Sequence, residues 1–321
     1  ALGLGEGGNF PTAIKAVAQW FPKGERALAT SLFNSGTNVG AVLAPAIVPA
    51  IALNWGWQSA FVLAGIAGFV WLAFWRCLYS EPRESSSVSP AELALIESDS
   101  PASSGAAKIS WAQLLRYRQT WSFITAKFLT DPVWWFFLIW LPDFFKKVYG
   151  LDIRQSWDKL VAIYAIVTVL SIAGGWISGH LYGRGWTITR ARKCGMLLFA
   201  ICVVPVVAAT RVDVWPAVLL IALAGSAHQA WSATLFTTVS DLFPQRAVAS
   251  VTGIGGFAGA IGGMLFPIVC GMTLDHYRAA GYEAAAYTVL LTFCAFAYLV
   301  TFAIHHVLVP RLDPVRAVTH D

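Results

Sequence analysis

The sequence predicts an all-α membrane protein, a bundle of long apolar helices with a few polar residues held inside it. Composition is the first reason. Hydrophobic residues make up 57% of the 321 and charged residues only 12%, and mean hydropathy is +0.62. A soluble domain of this length needs roughly twice that charge to coat its surface. Segment length is the second reason, because the apolar residues gather into spans of about 20, enough for a helix to cross a bilayer. Third, the 15 tryptophans and 20 phenylalanines suit interfacial belts and a lipid-facing exterior.

The same numbers exclude other classes. The net charge of +5 is spread over loops between apolar spans, so it forms no basic patch for nucleic acid. Cys77, Cys194, Cys202, Cys270 and Cys294 lie in or beside apolar spans with no CxxC pair, which reads as reduced thiols and no metal site. Gly3-Leu-Gly5-Glu-Gly7-Gly8 satisfies the dinucleotide pattern GxGxxG, but that pattern needs a preceding strand and a βαβ unit, and neither is readable here. There is no Ser-His-Asp grouping, no HExxH and no phosphate loop. No enzyme chemistry and no cofactor are therefore expected.

Nine spans of membrane length are expected, at 1–20, 27–53, 57–79, 119–145, 158–182, 194–210, 214–240, 247–273 and 284–309. The first two join through a charged turn, Phe21–Arg26. Ser80–Arg118 is rich in Ser, Pro, Ala and Glu without apolar periodicity, a solvated linker with a short helix expected at Pro90–Ser98. The domain reading is thus a partial N-terminal half of three helices at 1–79, a linker at 80–118, a six-helix half at 119–310 and a tail at 311–321.

Orientation follows from basic residues. With the Phe21–Arg26 turn on the cytoplasmic side, that side carries Lys23, Arg26, Arg76, Arg83, Lys108, Arg116, Arg118, Arg184, Arg190, Arg192, Lys193, Arg246, Arg311 and Arg316. The other side carries only Lys146, Lys147, Arg154, Lys159, Arg211 and Arg278. The bias places the linker and the tail in the cytoplasm. Lys15, five residues from Trp20, snorkels to the same surface.

An internal repeat sets the architecture. Trp20–Gly40 (WFPKGERALATSLFNSGTNVG) is similar to Leu242–Ala260 (LFPQRAVASVTGIGGFAGA): an aromatic-Pro pair, then Arg-Ala, then a helix of small residues. Gly36 and Gly40 in the first copy, and Gly255, Gly259 and Gly263 in the second, are spaced by four, which suits close helix packing. Three spans precede the helix leading to the second Phe-Pro turn, and none precedes the first. Equal halves would make nine of an expected twelve transmembrane helices present, as two parallel six-helix repeats around a central solute path.

Polar residues inside membrane-length spans are costly and mark such paths. Glu6 lies about 21 Å from the Trp20 end at 1.5 Å per residue, and Thr37 about 18 Å past Glu25, so the two sit at matching depth. Asn34, Thr37 and Asn38 share one helix face; they line a cavity or hydrogen-bond a neighbouring helix. Span 119–145 holds Lys127, Thr130, Asp131 and Pro132, then Trp134 and Trp135. Pro132 removes a backbone donor and frees a carbonyl, while Lys127 and Asp131, four apart, either neutralise each other or act on a solute. Span 214–240 carries His228, Gln229, Trp231 and Ser232. His228 is a structural donor or a cavity residue, and Trp135 and Trp231 offer flat faces to a sugar ring.

GEGGNFPTAIKAVAQWFP and ERALATSLFNSGTNVGA in the first half, with KFLTDPVWWFFLIWLPDF, the RARK at 190–193 and HQAWSATLFTTVSDLFP in the second, resemble the major facilitator superfamily, and within it the anion:cation symporters of hexuronates and other sugar acids. The resemblance covers essentially the whole chain. It implies proton-coupled uptake of an organic anion by alternating access, in a monomeric, multi-pass protein of the bacterial inner (plasma) membrane whose partners are the sugar acid, the proton and the lipid bilayer. It assigns Glu6 the proton-coupling role and leaves the arginine for the substrate carboxylate on a first helix not present here. His180, in GHLYGR, stands where the resemblance leads one to expect an acidic residue of a cytoplasmic gate. Substrate contacts are expected at Asn34, Thr37, Asn38, Thr130, Asp131, Trp135, His228, Gln229, Trp231 and Ser232. Two alternatives stay open: a passive facilitator or channel for small polar solutes, which would not need Glu6, and an inactive truncated fragment.

Overall fold

In a bilayer the only local way to satisfy an apolar segment's backbone is the helix's own ladder, and the computed structural model follows that rule. It describes residues 7–98 and 109–315, apart from the side chains of 45, 46 and 153–156, and among these residues there is no strand. In chain order the helices are α1 (Asn9–Trp20), α2 (Arg26–Trp55), α3 (Trp57–Leu78), α4 (Pro90–Glu97), α5 (Trp111–Leu114), α6 (Arg118–Tyr149), α7 (Ile153–Gly183), α8 (Ile188–Val203), α9 (Val214–Leu242), α10 (Gln245–Ala279) and α11 (Glu283–Leu308).

Breaks fall where backbone chemistry requires them. Gly56, at φ +82, turns α2 into α3 within one residue, a conformation that costs glycine nothing. Gly150 ends α6 in the left-handed conformation. Pro205 supplies no N–H, so the ladder of α8 stops at Val203 and tightens into a 3-10 turn over Val204–Thr210. Ser89 caps α4 by accepting from the Glu92 amide at 3.2 Å, with Pro90 behind it. The short helix expected at 90–98 therefore forms. The 80–118 segment is not wholly solvated, however, since Ile96 and Leu114 are buried.

Among the described residues seven helices are long and apolar enough to cross a membrane, or eight if α2, bent by 45° between Arg26–Ala44 and Ile47–Trp55, counts as one span. The expected ninth is not reached among the described residues, because part of span 1–20 lies outside them. The ninth span, 1–20, contributes only the 12-residue α1 among the described residues.

The bundle is built round α9. Of its most apolar stretch 83% is buried, against 0% for α3, which packs on α2 alone and turns its aromatic rings outward. Helices α6, α7, α8, α10 and α11 surround α9 or one another, while α1 docks on α10 and α2 on α7 and α9. Glycines set the close approaches. A Cβ on Gly179 would collide with the Gly24 carbonyl and one on Gly175 with Ser31, so α2 and α7 cross at backbone distance. The stripe expected on α10 packs on α6: Gly255 meets Phe123, Gly259 meets Asp131 and Gly263 meets Trp135. Gly36 and Gly40 differ from expectation, with nothing within 4 Å of where a Cβ would stand. An apolar groove of about 420 Å³ between α6, α10 and α11, lined by Phe128, Pro132, Gly262 and Phe266 among others, faces outward and carries none of the expected site residues.

Candidate functional site

The polar residues of α2 face α9. Asn34 donates from Nδ2 to Gln229 Oε1 at 2.5 Å, and Gln229 Nε2 donates to Asn38 Oδ1 at 3.1 Å. The three amides thus form one ladder, with Asn34 and Asn38 a helical turn apart on α2 and a single glutamine spanning them. All three are buried. The ladder is incomplete in one respect: among the described residues Asn38 Nδ2 has no acceptor, and neither does the indole Nε1 of the fully buried Trp231. A buried donor without an acceptor costs about 1–3 kcal/mol, so two of them in the candidate site favour a ligand rich in oxygen. Thr37 departs from its expected place. It is exposed and turns its hydroxyl back to the Asn34 carbonyl at 2.7 Å.

A second group joins α6, α9 and α11. His228 Nδ1 and the Tyr298 hydroxyl are 2.5 Å apart, and Tyr298 also reaches the Thr130 carbonyl at 3.4 Å. The Trp134 ring stacks on His228 with centroids 5.4 Å apart, and Trp231 meets Tyr298 edge-on at 5.5 Å. Trp134, rather than the Trp135 expected to face a sugar ring, is the tryptophan of α6 that turns into this group. Trp135 itself is 44% exposed, its indole lying against Gly263 on the outer side of α6. Thr130 is buried with its hydroxyl tied to the Ala126 carbonyl at 2.7 Å, and Ser232 is buried on α9. Lys127 and Asp131 do pair, Nζ to Oδ2 at 2.7 Å, with the ammonium also 4.4 Å from the centre of the Phe236 ring. Phe236 stacks on Phe10, which meets Phe33 edge-on, each at 5.6 Å. Glu6 lies outside the described residues.

One charged constellation escaped sequence reasoning. Asp241, on α9, accepts from Arg192 Nε at 3.0 Å and lies 3.8 Å from Arg26 Nη1. Arg192 also donates to Ser178 Oγ at 3.2 Å and to the Lys23 carbonyl at 2.6 Å. Arg26 donates to the carbonyls of Phe21, Ser240 and Ala18 at 3.0, 3.1 and 3.2 Å. These charges are almost wholly buried, with exposures of 0% for Arg192, 3% for Arg26 and 4% for Asp241. Sequence reasoning counted both arginines as loop charges. The only signal available was that each abuts an apolar span, as does the Asp of SDLFP. His180 takes no part in this cluster and stacks on Trp176, with ring centroids 4.1 Å apart. Contacts between α2 and the later helices run from this cluster up to the amide ladder. Past Asn38 the residues of α2 turn outward, with Val39, Leu43 and Val48 all close to half exposed. The Arg26–Asp241–Arg192 cluster seals the Phe21–Arg26 end.

The chain matches the family model described as Major Facilitator Superfamily over residues 1–267. It is 32% identical over 286 residues to the hexuronate transporter of Escherichia coli (strain K12), covering 86% of this chain and 65% of that protein. It is 33% identical over 182 residues to the galacturonate transporter of Dickeya chrysanthemi, covering 56% of this chain and 51% of that one. Among solved structures, the human organic anion transporter MFSD10 superposes with a TM-score of 0.62 at 15% identity, over 93% of this chain and 68% of that one. This likeness is one of fold.

Proposed function

Because this chain belongs to the major facilitator superfamily, a family of multi-pass membrane proteins, we propose that the protein is a secondary active transporter that carries an organic anion, a hexuronate or related sugar acid, together with a proton by alternating access. It acts in the bacterial inner membrane, with the Phe21–Arg26 turn, the 80–118 linker and the 311–321 tail in the cytoplasm. Helices of 1–79 and of 119–310 form its two moving parts, and the substrate binds between them.

The observation that carries this reading is the amide ladder. Asn34 and Asn38 come from α2 and Gln229 from α9, 191 residues beyond Asn38, so the ladder ties together two parts that alternating access must separate. Neutral amides offer donors and acceptors to hydroxyl groups without the desolvation cost of a charge. The unpartnered Asn38 Nδ2 and Trp231 Nε1 suit the ring and hydroxyl oxygens of a sugar acid. The names of the relatives agree in substrate class. Glu6 supplies the proton-coupling carboxylate, and the Arg26–Asp241–Arg192 cluster closes the cytoplasmic side.

The test is uptake of labelled galacturonate by the full-length protein in proteoliposomes, with the outside more acidic than the inside. Accumulation above the external concentration, abolished by a protonophore, is expected. Equilibration without accumulation would make the protein a passive facilitator, and no uptake of any sugar acid would remove the reading.

A further inference from the structure

We propose that Lys127 and Asp131 form a carboxylate-exchange site. Lys127 holds the carboxylate of the transported anion, and Asp131 is the internal anion that occupies Lys127 in its absence and takes up a proton when displaced. The inference rests on the transporter reading and adds to it a second protonation site, separate from Glu6.

The pair is poorly placed to be a stabilising device. Both residues lie within α6, a helix of membrane-spanning length, and taking two charges into an apolar interior costs as much as their attraction returns unless every remaining donor is satisfied. Here they are not. An ammonium has three donors, and among the described residues Asp131 is the only acceptor on Lys127. The face of Phe236, 4.4 Å from the nitrogen, holds the charge without accepting a hydrogen bond. Two donors are therefore open, the number a carboxylate uses when it binds through both oxygens. The pair is also reached from its acidic end, where the Asp131 side chain is 19% exposed and that of Lys127 only 6%.

Position supports the same assignment. Phe236 and Gln229 are seven residues apart on α9, which is two turns, one face and about 10 Å of axial rise. Lys127 above Phe236 and the amides at Gln229 thus stand at the two ends of one wall. That spacing accommodates a six-carbon acid with its carboxylate on Lys127 and its distal hydroxyls on the amides. Behind the pair, α10 presents only Gly259, where a Cβ would run into the Asp131 carboxylate. Asp131 thus lies against bare backbone on that side.

The exchange balances in charge. Before binding, Lys127⁺ faces Asp131⁻; afterwards Lys127⁺ faces the substrate carboxylate, and Asp131 carries a proton drawn from the aqueous phase to which the site is open. A carboxylate left buried without a cation is neutralised in this way. The other titratable groups facing this region are His228 on α9, Tyr298 and Cys294 on α11, and Tyr164 on α7 behind Trp134; α10 contributes none at Gly259. His228 Nδ1 and the Tyr298 hydroxyl are hydrogen-bonded to each other, and Asp131 is the carboxylate of this group that loses its cation to the substrate.

The experiment measures galacturonate binding to purified full-length protein by calorimetry in two buffers of different ionisation enthalpy, which gives affinity and protons taken up per ligand. Lys127→Gln should weaken galacturonate at least tenfold. Asp131→Asn should take up close to one proton fewer per bound galacturonate than wild type, and Glu6→Gln should keep the Asp131-dependent proton. Should a single charge left alone prevent folding, the Lys127→Gln/Asp131→Asn double variant reads both quantities: weak binding and the loss of one proton. Unchanged proton uptake in Asp131→Asn, or wild-type affinity and proton count in the double variant, would overturn the exchange site alone. Failure of wild-type protein to bind any sugar acid would overturn the transporter reading, and this inference with it.

Discussion

Gln229 and Asn38 meet at 3.1 Å, Nε2 to Oδ1, across 191 residues of sequence. The bond leaves Asn38 with one donor unused, so its other function is open to a ligand. Replacing Asn38 or Gln229 with Ala removes one uncharged partner, a loss on the order of 1–3 kcal/mol or roughly one to two decades of affinity. Hydroxylated sugar acids should suffer that loss, while a simple monocarboxylate, having no hydroxyls to bind, should lose little. Competition binding with galacturonate and a short-chain monocarboxylate measures the difference. Equal losses would make the ladder a structural joint only.

Glu6→Gln should abolish gradient-driven accumulation of galacturonate and preserve exchange of labelled for unlabelled substrate. Gln keeps the shape and hydrogen-bonding of the carboxyl group and cannot cycle a proton. Counterflow and gradient-driven uptake, measured side by side in proteoliposomes, separate the two. Full accumulation by the variant would remove Glu6 from the coupling step.

Asp241→Asn should loosen the sealed end. Two guanidinium groups, 3.0 and 3.8 Å from that carboxylate and almost fully buried, would lose their shared counter-charge. Stranding a buried charge costs about 3–5 kcal/mol. A lower Tm in detergent is expected, together with faster maleimide labelling of a cysteine introduced by Ala27→Cys, between α2 and α7. Unaltered labelling and stability would mean that the carbonyl contacts of the arginines suffice.

Gly179→Val should prevent closure at the same end, because any Cβ there runs into the Gly24 carbonyl. Gly36→Ala, with open space at its Cβ position, serves as the control and should transport normally. The Ala27→Cys labelling rate again reports the outcome, high in the first variant and unchanged in the second.

Membrane class and helix positions were legible because a bilayer leaves so few options. Spans expected at 214–240 and 284–309 form as Val214–Leu242 and Glu283–Leu308. The residues of the ladder were legible one by one, since an amide in an apolar run stands out, but their mutual bonding was not. Nothing local in Asn38 points to a partner almost two hundred positions away. Trp134 and Trp135 show a different limit. On a helix apolar all round, periodicity does not say which of two adjacent rings turns inward, and a step of 100° separates stacking on His228 from facing outward. Arg26 and Arg192 were misread because a charge at the end of an apolar span looks the same whether it lies in water or under a neighbouring turn. The acid that answers both, Asp241, is remote from each. Glu6 and the halves of the chain as rigid units remain readings from sequence.

The arginines of the sealed end mostly hold carbonyl oxygens: Lys23 for Arg192, and Ala18, Phe21 and Ser240 for Arg26. A fastening of that kind recognises the route of the main chain and is indifferent to the lettering along it. Its acceptors cannot turn away as side chains can, because the oxygens move only when whole helix ends move. Opening therefore demands that several segments depart together, which makes the event all-or-none.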